Sequence, residues 1–114
     1  MQYACLIYGD GNVADPLPRS EMEKYVADVL AYHEQLRQGG RLTLSQGLDR
    51  ENKATVKKRN GKITTTDGPF METKEQIAGL FVIEARDLNE ALRIVADHPL
   101  ADGDTIEVHA MFDP

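Results

Sequence analysis

The residues best suited to acid-base or binding chemistry fall in one short block of the chain. Asp67, Glu72 and Lys74 flank a Gly-Pro-Phe turn, where a carboxylate could exchange a proton with a bound molecule while Lys74 holds an anionic group. Gly79 leaves room for a ligand or a backbone to approach. We therefore predict a binding site at Asp67, Glu72, Lys74 and Gly79, with Asp67 and Glu72 as candidate catalytic residues. A structural interpretation competes, because Asp-Gly-Pro is a strong turn signal and the charges after it could form a solvated, self-paired turn.

Three histidines supply further candidates. His33 lies on the apolar stripe of a predicted helix, where a neutral imidazole could act as a base. Since no carboxylate is placed by the sequence to orient it, a core histidine with one hydrogen bond is the favoured interpretation. His109 shares a predicted strand face with Glu107, which leaves a histidine-carboxylate pair open. His98, next to Pro99, is expected to favour a helix C-terminus as a partial cation.

No metal site or cofactor is expected. The histidines lie on separate elements without a His-x-x-x-His spacing, and one cysteine, Cys5, cannot form a thiolate cluster. The Gly-Asp-Gly-Asn segment at 9–12 opens no immediate helix, so it lacks the context of a phosphate-binding turn. Covalent catalysis has no support either, because no serine or cysteine stands beside a base in a recognisable motif.

Composition indicates one globular domain over residues 1–114, with 41% apolar and 28% charged residues. The net charge is −6, yet five basic residues and no acid lie between Asn52 and Thr66. The acidic remainder disfavours nucleic-acid binding, because phosphates would be repelled over most of the surface. The N-terminal apolar run has no basic start and stops at Gly9, which argues against a signal peptide or membrane span and favours the cytoplasm.

Hydrophobic periodicity positions the candidates on regular elements. Residues 3–8 and 77–85 are apolar on both alternating faces, as in central strands. Residues 42–48, with Leu42, Leu44 and Leu48 on one dry face, and residues 105–112 read as edge strands. Strands at 54–59 and 62–66 flank Asn60-Gly61, the signature of a type I′ hairpin in which Arg59 faces Lys62.

Two helices complete the pattern. A capping box at Ser20 predicts the start of the first helix, and Gly39-Gly40 its end. Its apolar face comprises Met22, Val26, Val29, Leu30, His33 and Leu36. A capping arrangement at Asp87 starts the second helix, which Pro99 ends.

The order β, α, β, hairpin, β, α, β predicts an α+β fold, the ferredoxin-like βαββαβ sandwich with an inserted polar β-hairpin. Two helices cover one face of a four-stranded sheet, yet the central strands are apolar on the other face too. A second copy of the chain is the simplest cover, so we predict a homodimer with the sheets face to face.

The chain resembles the YCII-related family, in the branch named for the Asp-Gly-Pro-Phe motif, here residues 67–70. The resemblance extends over residues 66–76, Gly39-Gly40, Gly79 and residues 87–91, and it implies a dimeric α+β barrel of ferredoxin-like protomers. In a shorter branch of the family, a helix His and an Asp before a Pro form a proposed catalytic pair. Alignment places these at Val29 and His98, so neither is kept.

Three hypotheses follow for function. The leading one is a cleft between sheet and helices, rimmed by the Asp67 to Glu75 loop, that binds a small polar or anionic molecule. The second is a non-enzymatic interaction module whose basic hairpin, residues 53–62, docks an acidic protein partner such as a transcription regulator. The third is a small acid-base enzyme that uses His33 or His109.

Overall fold

The computed structural model describes residues 1–10, 18–49, 51–70 and 75–113. In chain order the elements are β1 (Gln2–Asp10), α1 (Arg19–Gln38), β2 (Leu42–Gly47), β3 (Ala54–Arg59), β4 (Lys62–Asp67), β5 (Glu75–Glu84), α2 (Leu88–Ala96), a 3₁₀ turn (Pro99–Ala101) and β6 (Thr105–Ala110). Neither described helix is both long and apolar enough to cross a bilayer.

Four strands form an antiparallel sheet in the order β2-β5-β1-β6, and β3 pairs with β4 in a separate two-stranded sheet. The two strands that are apolar on both faces, β1 and β5, are therefore central, and β2 and β6 are edges, as the periodicity predicts. The α+β ferredoxin-like fold is confirmed. The hairpin lies between β2 and β5 in the chain but outside the main sheet.

The hydrophobic core lies between one face of the main sheet and the helices. Tyr3, Cys5 and Ile7 of β1 pair with Ile83, Phe81 and Gly79 of β5, so these alternate residues share the helix-covered face. Leu36 of α1 and Ala91 and Val95 of α2 cover them. Cys5 is fully buried there, and burial raises the pKa of its thiol to about 12, which makes it an unreactive core residue.

The predicted N-terminal cap of α1 is wrong. The helix begins at Arg19 after Pro18, whose carbonyl accepts from the Met22 amide, and no side chain caps it. Proline suits this place because its φ is already close to helical and it has no amide to satisfy. The C-terminal prediction holds, since Gly40 adopts a φ of 72° and ends the helix.

The predicted cap of α2 is confirmed. The Asp87 carboxylate accepts from the Glu90 amide at 2.8 Å, which satisfies one of the free N–H groups of the first turn. Glu90 also accepts from Arg41, just before β2, at 2.8 Å and from the Arg86 amide at 3.0 Å. These hydrogen bonds hold the pKa of Glu90 below its usual value and fasten α2 to the start of the edge strand.

The dry face predicted for the second strand is also wrong beyond its first residue. The register shifts between Leu42, opposite Ile83, and Leu44, opposite Val82, so the extra residue turns the strand over. Leu44 consequently lies on the face away from the helices and is exposed, whereas Ser45 pairs with Phe81 and faces inward. The bulge decides which polar side chain reaches the interior.

The hairpin has the predicted turn but a different anchor. Asn60 and Gly61 have φ values of 52° and 79°, and Arg59 lies opposite Lys62. Phe70, the large apolar residue of the loop after β4, is 74% exposed and lies under the Lys57 ammonium, 5.9 Å from the ring centroid. Hydrogen bonds hold this end instead: the Gly68 amide donates to the Lys53 carbonyl, and its carbonyl accepts from Thr55.

Candidate functional site

A cavity of about 360 Å³ lies between α1 and the main sheet. Most of its wall is apolar. Five polar side chains interrupt that wall: Tyr25 and His33 of α1, Ser45 and Gln46 of β2, and Asp104, which lies just before β6. The apolar lining comprises Ile7, Met22, Val26, Val29, Leu30, Ala78, Leu80 and Leu100. Such a wall suits an apolar ligand body oriented by few polar contacts.

The cavity exists because the apolar stripe of α1 is longer than the core it covers. Its C-terminal part is packed, with His33 and Leu36 buried, whereas Leu30, one turn earlier, is 63% exposed. Gly47 and Gly79 leave the facing part of the sheet without side chains. A Cβ on Gly79 would lie 3.1 Å from the Gln46 carbonyl oxygen, so the two backbones approach each other closely at this glycine.

Three side chains form a hydrogen-bonded chain at the inner end of this cavity. Ser45 Oγ lies 2.9 Å from His33 Nδ1, and His33 Nε2 lies 2.9 Å from His98 Nε2. The Leu100 amide donates to His98 Nδ1 at 3.1 Å. Both rings are buried, with exposed fractions of 6% and 2%. Every ring nitrogen of the pair is therefore engaged.

Aromatic rings enclose His98. Phe81 stacks on it with centroids 4.9 Å apart and planes 17° apart, and Tyr32 meets it edge-on at 5.0 Å. The Tyr32 hydroxyl donates to the Ile94 carbonyl. Burial, and then the neighbouring His33, lower the pKa of His98 to about 4. The prediction of a partial cation at a helix end is thus wrong, since His98 is a neutral core residue.

His33 has the same character. Its pKa is lowered first by burial and then by the Arg37 guanidinium, one turn along α1. It is the buried histidine that the sequence favours, but with two side-chain partners instead of one hydrogen bond. Since it also lines the cavity, its buried role and a role toward a ligand are compatible.

The remaining predicted site residues lie in different places. Gly79 lines the cavity. Asp67 ends β4, is exposed, and lines a separate surface depression near Lys53. Glu72 and Lys74 lie outside the described residues. His109 pairs with Glu107, and both are exposed on the sheet face away from the helices. The predicted set is therefore not brought together around one ligand.

Two residues of the site, Ser45 and His98, are not among the site residues predicted from the sequence. Ser45 was assigned to the wetter strand face, since strict alternation from Leu42 places it there, and only the bulge turns it inward. For His98 a signal existed: its position before Pro99 matches the partner residue of the family's proposed pair. The residue type there is His instead of Asp.

Comparison with known proteins places the chain in a family. The model of the YCII-related domain matches residues 1–113. The chain belongs to the YCII-related family. An uncharacterized protein of Rhizobium meliloti (strain 1021) is 33% identical over 98 residues, which cover 85% of this chain and 79% of that protein.

A solved structure of similar fold supports the architecture. The structure of 5-chloro-2-hydroxyhydroquinone dehydrochlorinase (TftG) from Burkholderia phenoliruptrix AC1100, in complex with 2,5-dihydroxybenzoquinone, superposes with a TM-score of 0.56. The match covers 100% of this chain and 96% of that one at 14% sequence identity. The TM-score and the coverage together show a shared fold. The Asp-Gly-Pro-Phe branch stays a prediction.

In this YCII-related chain the helix position of the proposed catalytic pair, Val29, lines the cavity, and His33 lies one turn further along α1. It is His33 that reaches His98, across 65 residues of sequence. Since the helix position of the proposed pair is Val29, the contact between His33 and His98 is a different pair. Burial lowers the pKa of both rings, which favours their neutral forms.

Proposed function

We propose that this protein binds a small molecule in the cavity between α1 and the sheet, with Ser45, held in place by His33, as its polar contact. The observation that carries the proposal is the placement of two hydrogen-bonded polar side chains at the inner end of a mostly apolar cavity. Burying such groups costs free energy unless their partners are fixed. Here the cost is offset by the chain through His98, so the polar contacts are preorganised.

The volume supports a ligand of modest size. About 360 Å³ lies near the lower end of small-molecule sites and accommodates a single substituted ring better than a nucleotide. The TftG structure holds a small quinone, which agrees with a small-molecule role on this fold. The acid-base hypothesis for His33 gains less support, since both of its ring nitrogens are already hydrogen-bonded within the protein.

Filling the cavity should abolish binding. We expect ring compounds selected from a fragment collection by ligand-observed NMR to bind the wild type and to lose at least about tenfold in affinity with Val29→Trp, because the indole would occupy the ligand volume. The matched control is Val56→Trp, on an exposed hairpin position. Fragments that bind both variants equally would show that the cavity is not the site.

Asp67, Glu72 and Lys74 stay proposed rim residues. Asp67→Ala belongs in the same measurements, because Asp67 lies beside Lys53 on the surface and does not line the cavity. An unchanged fragment affinity would show that Asp67 serves only the turn. A loss of affinity would show that the loop contributes to the binding site.

We further propose that the protein is a homodimer joined through the uncovered sheet face. On that face Ala4, Leu6 and Tyr8 of β1 alternate with the core residues, and Leu80 lies beside them on β5, whereas Val82 is already buried within the protomer. Apolar central strands without a covering layer are typical of an interface. The charged pair Glu107 and His109 lies on the β6 edge of the same face.

The basic hairpin supports a second candidate function, docking of an acidic partner. Lys57, Arg59 and Lys62 line one groove of β3 and β4, and the like charges of Arg59 and Lys62 face each other. A like-charge pair is unfavourable unless water or an anion screens it. On the other face Val56 and Ile63 are exposed, so a partner would gain apolar contact there.

A defined acidic peptide tests this candidate. We expect a fluorescent poly-glutamate peptide to bind the wild type at low salt and to be released as salt rises. The double variant Lys57→Glu/Arg59→Glu should bind at least tenfold more weakly, about 1.4 kcal/mol. Arg19→Glu/Lys24→Glu, at two exposed positions of α1, is the charge-matched control. Equal losses of peptide affinity in both variants would show that net charge alone accounts for the binding.

A further inference from the structure

The Leu100 backbone amide determines where His98 carries its proton. An amide N–H can only donate, and it donates to His98 Nδ1 at 3.1 Å. Nδ1 must therefore present a lone pair, and a neutral His98 keeps its single ring proton on Nε2. Burial keeps the ring neutral, as its lowered pKa indicates.

That proton determines the tautomer of His33. The two Nε2 atoms lie 2.9 Å apart, a distance at which one hydrogen lies between them and two would collide. Since His98 supplies it, His33 Nε2 is the acceptor. A neutral His33 then carries its proton on Nδ1, the nitrogen 2.9 Å from Ser45 Oγ.

The series of hydrogen bonds from the Leu100 amide ends at Ser45. Because His33 Nδ1–H donates to Oγ, the Ser45 hydroxyl is an acceptor from the ring and must donate its own hydrogen elsewhere. Within residues 1–10, 18–49, 51–70 and 75–113, no protein acceptor for that hydrogen lies within hydrogen-bond distance. Ser45 lines the cavity, so its hydrogen is available to a ligand there. The site thus presents a donor and no free ring nitrogen.

The charges around the cavity further restrict the chemical class of the ligand. Among the described lining residues no lysine or arginine is found, and Asp104 is the charged side chain. Tyr25, also in the lining, stays a neutral phenol, since burial and then Asp104 raise its pKa. An anion would find no lysine or arginine among the described lining residues to offset its desolvation, which is costly.

From this geometry we infer that the ligand of the cavity is an uncharged molecule with a carbonyl oxygen, which accepts the Ser45 hydroxyl hydrogen while its apolar body packs on α1 and the sheet. The inference rests on the proposed binding function and specifies its ligand class. It replaces the polar or anionic molecule expected from the Asp67 to Glu75 loop. It also assigns Ser45 as a binding residue and His33 and His98 as positioning residues.

The tautomers are testable without a ligand. In ¹⁵N-histidine NMR spectra of the wild-type protein, we expect His98 protonated at Nε2 and His33 at Nδ1. Opposite tautomers in two touching rings are a specific signature of the chain. A His33 protonated at Nε2 would overturn the inference, because Ser45 would then donate to the ring and not to a ligand.

Three probes of similar shape test the ligand class: acetophenone (neutral carbonyl), benzoate (anion) and ethylbenzene (no acceptor). We expect acetophenone to bind the wild type most tightly and to lose about fivefold with Ser45→Ala, the worth of one net hydrogen bond. Ethylbenzene should be unaffected by that substitution. Ser45→Thr retains the hydroxyl and should rescue binding, and Thr43→Ala, an exposed position of the same strand, is the control.

The outcomes separate the two proposals. Equal binding of acetophenone and ethylbenzene, unchanged by Ser45→Ala, would overturn this inference and leave the cavity as a binding site. Tighter binding of benzoate than of acetophenone would also overturn it. Binding of none of the probes would count against both, even if the tautomers were as expected.

Discussion

Acid should destabilise this protein well above the pH at which carboxylates titrate, and His98 should account for about 3 kcal/mol of the loss. The value follows from the lowering of its pKa from 6.5 to about 4, since each pKa unit corresponds to about 1.4 kcal/mol. The physical cause is burial among Phe81, Tyr32 and His33, where an imidazolium would lose its hydration and face a second ring.

The sign follows from where the proton binds. Between pH 6.5 and 4 the unfolded chain protonates His98 and the folded chain does not, so the unfolded state binds more protons. The free energy of unfolding therefore falls as pH falls through this window and levels off below about pH 4 for this group. His33 acts in the same direction, because its pKa is lowered too. Arg37, the cation nearest His33, opposes protonation as well.

Urea unfolding from pH 7.5 to 4, at one protein concentration, measures the effect. His98→Asn can still accept from the Leu100 amide but cannot titrate. We expect it to be less stable than the wild type at pH 7.5, since it loses the Phe81 stack, and to approach the wild-type value as pH falls. His109→Asn is the control, because His109 is exposed. Parallel curves for wild type and His98→Asn would show that His98 does not carry the dependence.

The fold was largely predictable from periodicity, because burial on both faces of β1 and β5 leaves an unmistakable apolar run. The turn at Asn60-Gly61 and the cap at Asp87 were predictable for a similar reason, since their chemistry is local. The start of α1 was not predictable, because Pro18 and the capping box at Ser20 are both typical of a helix N-terminus. Propensity alone does not choose between them.

The site was predictable only in part. His33 could be placed on the buried stripe, but its partner is 65 residues away, and the contact depends on how the 3₁₀ turn after α2 packs on α1. Ser45 depends on a bulge, which shifts every later side chain of β2 to the opposite face. Phe70 is a converse case: a large apolar residue in a loop is often buried, yet here it remains exposed beside Lys57.

The second large effect concerns the uncovered sheet face. We expect Leu6→Asp to separate the proposed dimer, raising its dissociation constant by a hundredfold or more. In a two-fold interface each substitution occurs twice, and losing the burial of one leucine costs about 1.5–3 kcal/mol. Two such losses give about 3–6 kcal/mol, before the cost of burying two carboxylates is added.

The folded protomer should survive the change, because Leu6 lies on the face opposite Tyr3, Cys5 and Ile7 and contributes nothing to the helix-covered core. Light scattering at micromolar concentration would then report a monomer, with the circular dichroism of the wild type. Leu92→Asp is the matched control, since Leu92 is exposed on α2, remote from this face. A wild-type protein that scatters as a monomer would refute the dimer outright. A dimer that persists in Leu6→Asp would place the interface elsewhere, with the exposed Val56 and Ile63 of the hairpin as the next surface to substitute.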